Sequence, residues 1–185
     1  GLGGGGVRRG RVGDDIGASV DAFAVVAQAA AIPVLQAAAH ALDARGASAW
    51  QRSYCPVCGA RPSLAEVRGI ERERRLRCGC CGADWPLKML HCAFCDEIDH
   101  DKLGTLRAEG DEQRRHVETC DSCRGYLKAA MTFDAQSFRS LMLLDLSTIQ
   151  LDLVAHERGS EPPAGPRCAP GVAAATSHPP RATRP

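Results

Sequence analysis

Four Cys-x-x-Cys pairs within about seventy residues constrain this chain more than any other feature: Cys55/Cys58, Cys78/Cys81, Cys92/Cys95 and Cys120/Cys123. A tetrahedral metal ion needs four soft ligands, and two such pairs supply them. Four pairs therefore predict two closed four-thiolate sites, each holding one iron or zinc ion. A Cys-x-x-Cys turn brings both sulfurs to one ion, and a small residue after it leaves backbone N–H groups free to point at the thiolates. Gly59 and Gly82 follow the first two pairs. The first two pairs are separated by 19 residues, within the spacing of a zinc-ribbon or rubredoxin-like site. The last two are separated by 24, which still suits a strand hairpin.

Disulfides and thiol redox chemistry are the competing readings. A bridge inside each pair would tie almost nothing together, and no charged segment followed by an apolar core and cleavage site marks a secretory leader. A single Cys-x-x-Cys in a βαβ setting would read as thioredoxin-like, whereas four in a region with little helical pattern fit ligation. Consecutive pairing, Cys55, Cys58, Cys78 and Cys81 followed by Cys92, Cys95, Cys120 and Cys123, closes two local hairpins at low loop entropy. An interleaved cross-brace is the alternative. Consecutive pairing also repeats one plan, a Cys turn, a hairpin and a second Cys turn. Cys80 and Cys168 are left over, the first read as a small buried or half-exposed thiol. His91 stands next to Cys92 as a substitute ligand of low priority.

Aromatic residues make up only 4% of the chain, so a large self-sufficient core is not expected around the cysteines. Small metal ribbons instead obtain much of their folding free energy from the ion, on the order of 10 kcal/mol or more per site. The formal net charge of +1 gives no global pull toward nucleic acid or acidic membranes.

The expected organisation has five parts. Residues 1–18 are Gly-rich and cannot bury apolar surface, so disorder is expected. Residues 19–48 form an Ala-rich helical segment without formal charge between Asp21 and Asp43, interrupted by Pro33 into two helices or one kinked helix. It is too weakly apolar to favour membrane insertion. Residues 53–133 form a tandem four-Cys metal-ribbon region. Hairpins are expected over 65–70 with 74–77 and over 103–107 with 114–118, and a sheet extension over 126–132. Residues 134–159 form a C-terminal helix with Asp134 as N-cap and Gly159 as its stop. Residues 160–185 are a disordered Pro-rich tail. The fold class is α+β: two rubredoxin- or zinc-ribbon-like metal modules flanked by N-terminal and C-terminal helices.

Four segments carry a family resemblance. YCPVCGARP (54–62), RLRCGCCGADWPLKMLHCAFC (75–95), ETCDSCRGYLKAA (118–130) and DLSTIQLDLVAHERG (145–159) are similar, in order and spacing, to elements of the FdhE-type formate dehydrogenase accessory proteins. The resemblance implies a cytoplasmic, non-catalytic maturation factor. It would bind the catalytic subunit of a molybdenum- or tungsten-dependent formate dehydrogenase and assist its assembly or activation. It also implies two rubredoxin-like metal modules with iron as an occupant, their ligands carried over as the eight paired cysteines. Relative to that family, most of the helical N-terminal region gives way to Gly-rich sequence, and the terminal motif to the Pro-rich tail.

Closed four-Cys coordination leaves no open position for substrate or metal-bound water, which argues against hydrolytic catalysis. No catalytic or cofactor-binding residue stands out otherwise. Two alternatives compete with the accessory factor: a nucleic-acid-binding zinc ribbon and a rubredoxin-like electron carrier. The first would use Arg68, Arg72, Arg74, Arg75 and Arg77, yet Glu71 and Glu73 interleave and no stacking aromatics accompany them. A solvated hairpin face explains that run better. Trp50, Trp85 and Tyr126 read as core residues before interface anchors, and Asp84 as a solvated charge.

Overall fold

The computed structural model describes residues 20–43, 49–107 and 114–162. The disorder expected over 1–18 lies outside them, as do the polar run 108–113, Cys168 and residues 163–185 of the expected tail. The tail's first residues are instead ordered against the second half of the Cys region, with Ser160 buried and the Glu161 N–H donating to the Arg124 carbonyl at 2.8 Å.

The Ala-rich segment forms a single helix, α1 (Val20–Asp43), that runs through Pro33. Alanine's high helix propensity outweighs the one missing N–H. Ala39 is buried and Leu35 packs against the core, while Val34 and His40 face solvent. No described helix is long and apolar enough to cross a membrane.

The Cys region builds the two expected ribbon-like modules, joined edge to edge into one six-stranded sheet. Its strands are β1 (Leu64–Arg68), β2 (Glu73–Arg77), β3 (Asp84–Pro86), β4 (Leu103–Leu106), β5 (Arg115–Cys120) and β6 (Tyr126–Thr132). The spatial order is β3-β2-β1-β6-β5-β4. Neighbours within each half are antiparallel, with Leu64 opposite Arg77 and Leu103 opposite Cys120. The halves join where β1 lies parallel to β6, Ala65 opposite Ala129. Each half is therefore the same three-stranded meander, and the two stand head to tail. Because β1, β6 and β4 run the same way, all four Cys turns fall at one end of the sheet.

The larger core cluster surrounds the first half, where Ala65, Leu76, Trp85, Leu127 and Ala129 pack with Cys55, Cys78, Cys80 and Cys81. Trp85 is fully buried and donates its Nε1–H to the Arg52 carbonyl at 2.8 Å. Cys80 is buried, but it is disulfide-bonded rather than a thiol. A smaller cluster under the second half gathers Val117, Tyr126, Leu151 and Ala155.

The arginine run is not a wholly solvated face: Arg72, at the turn, stays exposed, but Arg68, Arg74, Arg75 and Arg77 do not. Glu66 is fully buried in β1 and accepts from Arg68, from Arg77 Nη1 at 2.5 Å and from the Gln136 N–H at 2.9 Å. Asp84 takes Arg68 Nη1 at 2.8 Å and Arg75 Nε at 2.5 Å, so it is an ion-paired group, not a free surface charge. Arg74, also buried, grips Glu118 through two nitrogens and donates to the carbonyls of Lys88 and His91, fastening the halves together. Buried charges persist only when paired this fully.

The C-terminal helix starts later than expected and breaks in two. Ser137, not Asp134, caps α2 (Phe138–Ser147), accepting the Ser140 N–H at 3.1 Å. Thr148 then leaves helical geometry, and its hydroxyl bonds back to the carbonyls of Leu144 and Asp145, before α3 (Ile149–Glu157) resumes. A threonine hydroxyl competes with the helical ladder in this way. The buried Lys128 of β6 reinforces the break by donating to the Asp145 carbonyl and ion-pairing with Asp145 and Asp152. Gly159, at φ +74°, ends α3.

Candidate metal centres

The four turns share one backbone plan. In each, the first cysteine's N–H donates to the carbonyl five residues on: Cys55 to Ala60, Cys78 to Ala83, Cys92 to Glu97 and Cys120 to Gly125, at 2.8–3.0 Å. The residue after the second cysteine is left-handed in all four, namely Gly59 (φ +70°), Gly82 (+75°), Asp96 (+59°) and Arg124 (+59°). Sequence reasoning noticed only the two glycines. The matching offset after every pair was the signal for Asp96 and Arg124, hidden by residue types that adopt this geometry at a cost.

This plan brings the sulfurs together in two groups, Cys55, Cys58, Cys78 and Cys81, and Cys92, Cys95, Cys120 and Cys123, all ligand atoms within 4.8 Å of one another. The Sγ–Sγ distances are 3.5 Å (Cys55–Cys81) and 3.4 Å (Cys58–Cys78) in the first, and 3.7 Å (Cys92–Cys123 and Cys95–Cys120) in the second. A metal–sulfur bond of about 2.3 Å gives a tetrahedron with edges of roughly 3.8 Å. The donor sets therefore fit a four-coordinate thiophilic ion, and the grouping is the consecutive one. His91 joins neither group and pairs instead with Asp96 at 3.1 Å.

Each centre also carries N–H groups aimed at sulfur. Val57 N–H points at Cys55 Sγ, Cys80 N–H at Cys78 Sγ and Gly125 N–H at Cys123 Sγ, each at 3.4 Å. Such donors spread the negative charge that four thiolates would place on a divalent ion. In the first centre, hydrogen bonding from Cys55 holds Cys58 and Cys78 below the ordinary thiol range, while Cys55 itself is pushed up. Cys81 is lowered by Cys55 but raised more by Cys58, Cys78 and burial. In the second centre, burial pushes Cys92 up and Cys95 up to about 11. Burial also raises Cys120, but backbone N–H groups and the Cys92 thiol outweigh it and leave Cys120 lowered. Four thiolates side by side repel, so a cation displacing the remaining protons completes either set.

The centres differ in setting. Cys55, Cys78 and Cys81 are buried within the larger core cluster. In the second centre Cys123 is exposed, and the surroundings are polar: Glu97 accepts from Ser122 and from two backbone N–H groups, which holds its carboxyl at about 2.

Comparison with known proteins places this geometry. Residues 87–165 match the family model described as FdhE, C-terminal domain. An FdhE homologue of Aquifex aeolicus is 30% identical over 113 residues, covering 60% of this chain and 39% of the relative. An FdhE homologue of Pseudomonas aeruginosa is 32% identical over 115 residues, covering 58% and 37%. The crystal structure of the Pseudomonas aeruginosa FdhE protein superposes with a TM-score of 0.53 at 30% identity, over 65% of this chain and 43% of that one. The matched stretch thus spans well under half the length of these relatives.

Proposed function

We propose that this FdhE-type chain is an accessory factor of formate dehydrogenase, a protein-binding module that assists assembly or activation of the catalytic subunit and is not itself an enzyme. The observation that carries this reading is the pairing of FdhE similarity with two four-sulfur centres at one end of a continuous sheet. Four-thiolate sites closed by backbone N–H groups hold an ion without an open position for substrate. Their role is then to fix the turn-bearing end of the sheet as a rigid surface. In this reading the client is the catalytic subunit of a molybdenum- or tungsten-dependent formate dehydrogenase, met in the cytoplasm, and the eight paired cysteines are the ligands of two iron or zinc ions.

Nucleic-acid binding is the weaker reading, because Arg68, Arg74, Arg75 and Arg77 are spent on Glu66, Glu118, Glu73, Asp84 and backbone carbonyls. The electron-carrier reading is favoured by one observation, the exposure of Cys123 in the second centre. It predicts reversible one-electron reduction of iron-loaded protein. The deciding experiment is an anaerobic pull-down of the metal-loaded chain against a formate dehydrogenase catalytic subunit, with an unrelated molybdoenzyme as control. Selective retention is expected, and equal retention of both would contradict the assignment.

A further inference from the structure

The two C-terminal helices carry apolar residues on opposite sides. Leu141, Thr148, Leu151 and Ala155 are buried at helical spacing, and Leu151 and Ala155 pack with Val117 and Tyr126 of the sheet. About half a turn round the axis runs a second stripe, Arg139, Leu143, Leu146, Gln150, Leu153 and Glu157, and all of it is exposed. Its steps alternate between four and three residues, the repeat of a seam between two helices. Thr148, where α2 gives way to α3, belongs to the buried side, so the outer stripe continues across the break. Leu143, Leu146 and Leu153, with Ile149 beside them, are each 60–70% exposed. Together they present roughly 400 Å², as much as the largest apolar patch of an ordinary monomer.

Charge on this face is arranged in a way that selects its occupant. Between Leu143 and Leu153 the chain has only two charged residues, Asp145 and Asp152, and both reach inward to Lys128. The middle of the outer face is therefore neutral. Its ends are charged and opposite in sign, with Arg139 at the start of α2 and Glu157 at the end of α3. Neither makes an ion pair among the described residues. His156 and Arg158 flank Glu157 but lie off the stripe, about 100° to either side. Read backwards, the stripe is complementary to itself. About a two-fold axis at Thr148, an antiparallel copy sets Arg139 against Glu157 at both ends and Leu143 against Leu153 between them. A parallel copy would set Arg139 on Arg139 and Glu157 on Glu157, and like charges repel. An unrelated partner has no use for this reversal symmetry.

We propose that the outer face of α2 and α3 docks on the same face of a second copy of this chain, forming an antiparallel two-fold dimer. Two such patches face to face, with the rim of Arg139, Ser147 and Glu157, reach the area of about 1,000 Å² that a specific interface needs. The neutral middle supplies the apolar burial, and the charged ends fix direction and register. This inference stands apart from the accessory-factor reading, because no residue of the stripe is a candidate metal ligand.

Sedimentation equilibrium of the full, metal-loaded chain reads the association directly. A mass twice that of one chain is expected at micromolar concentration, falling to one on dilution. Leu146→Glu places a charge at the seam in both copies and is expected to weaken the dimer at least about a hundredfold. Leu146 is 70% exposed, so the melting temperature of the dilute, monomeric protein is expected to stay unchanged. Arg139→Glu and Glu157→Arg are each expected to weaken the dimer about tenfold, because two exposed pairs become repulsive at once. The double reversal R139E/E157R is expected to restore it, an outcome that only antiparallel pairing produces. A chain that stays monomeric, a dimer that survives Leu146→Glu, or a double reversal no tighter than either single would overturn the proposal. So would a monomer whose retention of a formate dehydrogenase catalytic subunit is lost in Leu146→Glu, since that result assigns the face to the client.

Discussion

The two sulfur centres have the same turns, the same hydrogen-bond plan and the same end of the sheet, yet they occupy different surroundings. The first sits inside the main core, backed by Trp85, Leu76 and α1, with glycines at both left-handed positions. The second has Ala93 and Phe94 of its first turn in that same core and buries Cys92 and Cys120, but it exposes Cys123 and fills its left-handed positions with Asp96 and Arg124. One backbone motif is therefore enclosed by the core in one half and reaches solvent at one ligand in the other. What differs is the apolar packing around the sulfurs and not the sulfurs themselves.

Breaking ligation tests that contrast most severely. If each centre contributes on the order of 10 kcal/mol through its ion, neither loss is small. Cys81→Ser is expected to abolish cooperative unfolding of the whole chain. Cys123→Ser is expected to leave the first half protected in hydrogen exchange and to release one metal ion. Equal collapse of both variants would show that the halves form one cooperative unit. Removing packing around the first centre comes next. Trp85→Ala is expected to cost about 3–5 kcal/mol in denaturant unfolding. Tyr126→Phe, which loses the 2.8 Å hydrogen bond to Asp152 beneath the second half, is expected to cost about 1 kcal/mol. Gly59→Ala isolates the turn itself. Nothing lies within 4 Å of the added Cβ, so its cost of about 1–2 kcal/mol reflects the left-handed backbone alone.

The smallest effect is a difference in acid sensitivity. Burial lowers the His116 pKa in the second half. A depressed folded-state pKa gives stability that is complete above the unfolded value, here 6.5, and is lost as pH falls through the folded one. Asp84, in the first half, is depressed from 3.8, so its contribution fades only in much stronger acid. His116→Gln is therefore expected to flatten the stability profile just below pH 6.5. An unchanged profile would remove His116 from the account.

Much of this architecture was legible because cysteine spacing and turn chemistry are local. The Cys turns, both hairpins and the 126–132 strand follow from residues close in sequence. The parallel β1–β6 seam was not legible, because Ala65 and Ala129 meet across 64 positions with no residue type that marks the pairing. The arginine run misled for a related reason. Alternating Arg and Glu read as a solvated face, while Glu66 and Glu118, which bury Arg77 and Arg74, come from other strands. The break at Thr148 was equally hidden, since Lys128, which braces it, arrives from β6. Aligned sulfur was predictable from one dimension, and charge pairing across the sheet was not.

The central claim is that eight sulfurs hold two ions. Metal analysis with X-ray absorption on anaerobically purified protein tests it directly. The account predicts about two iron or zinc ions per chain, each with a first shell of four sulfurs near 2.3 Å. A folded protein that contains less than one ion per chain and whose eight paired cysteines all react as free thiols would contradict it.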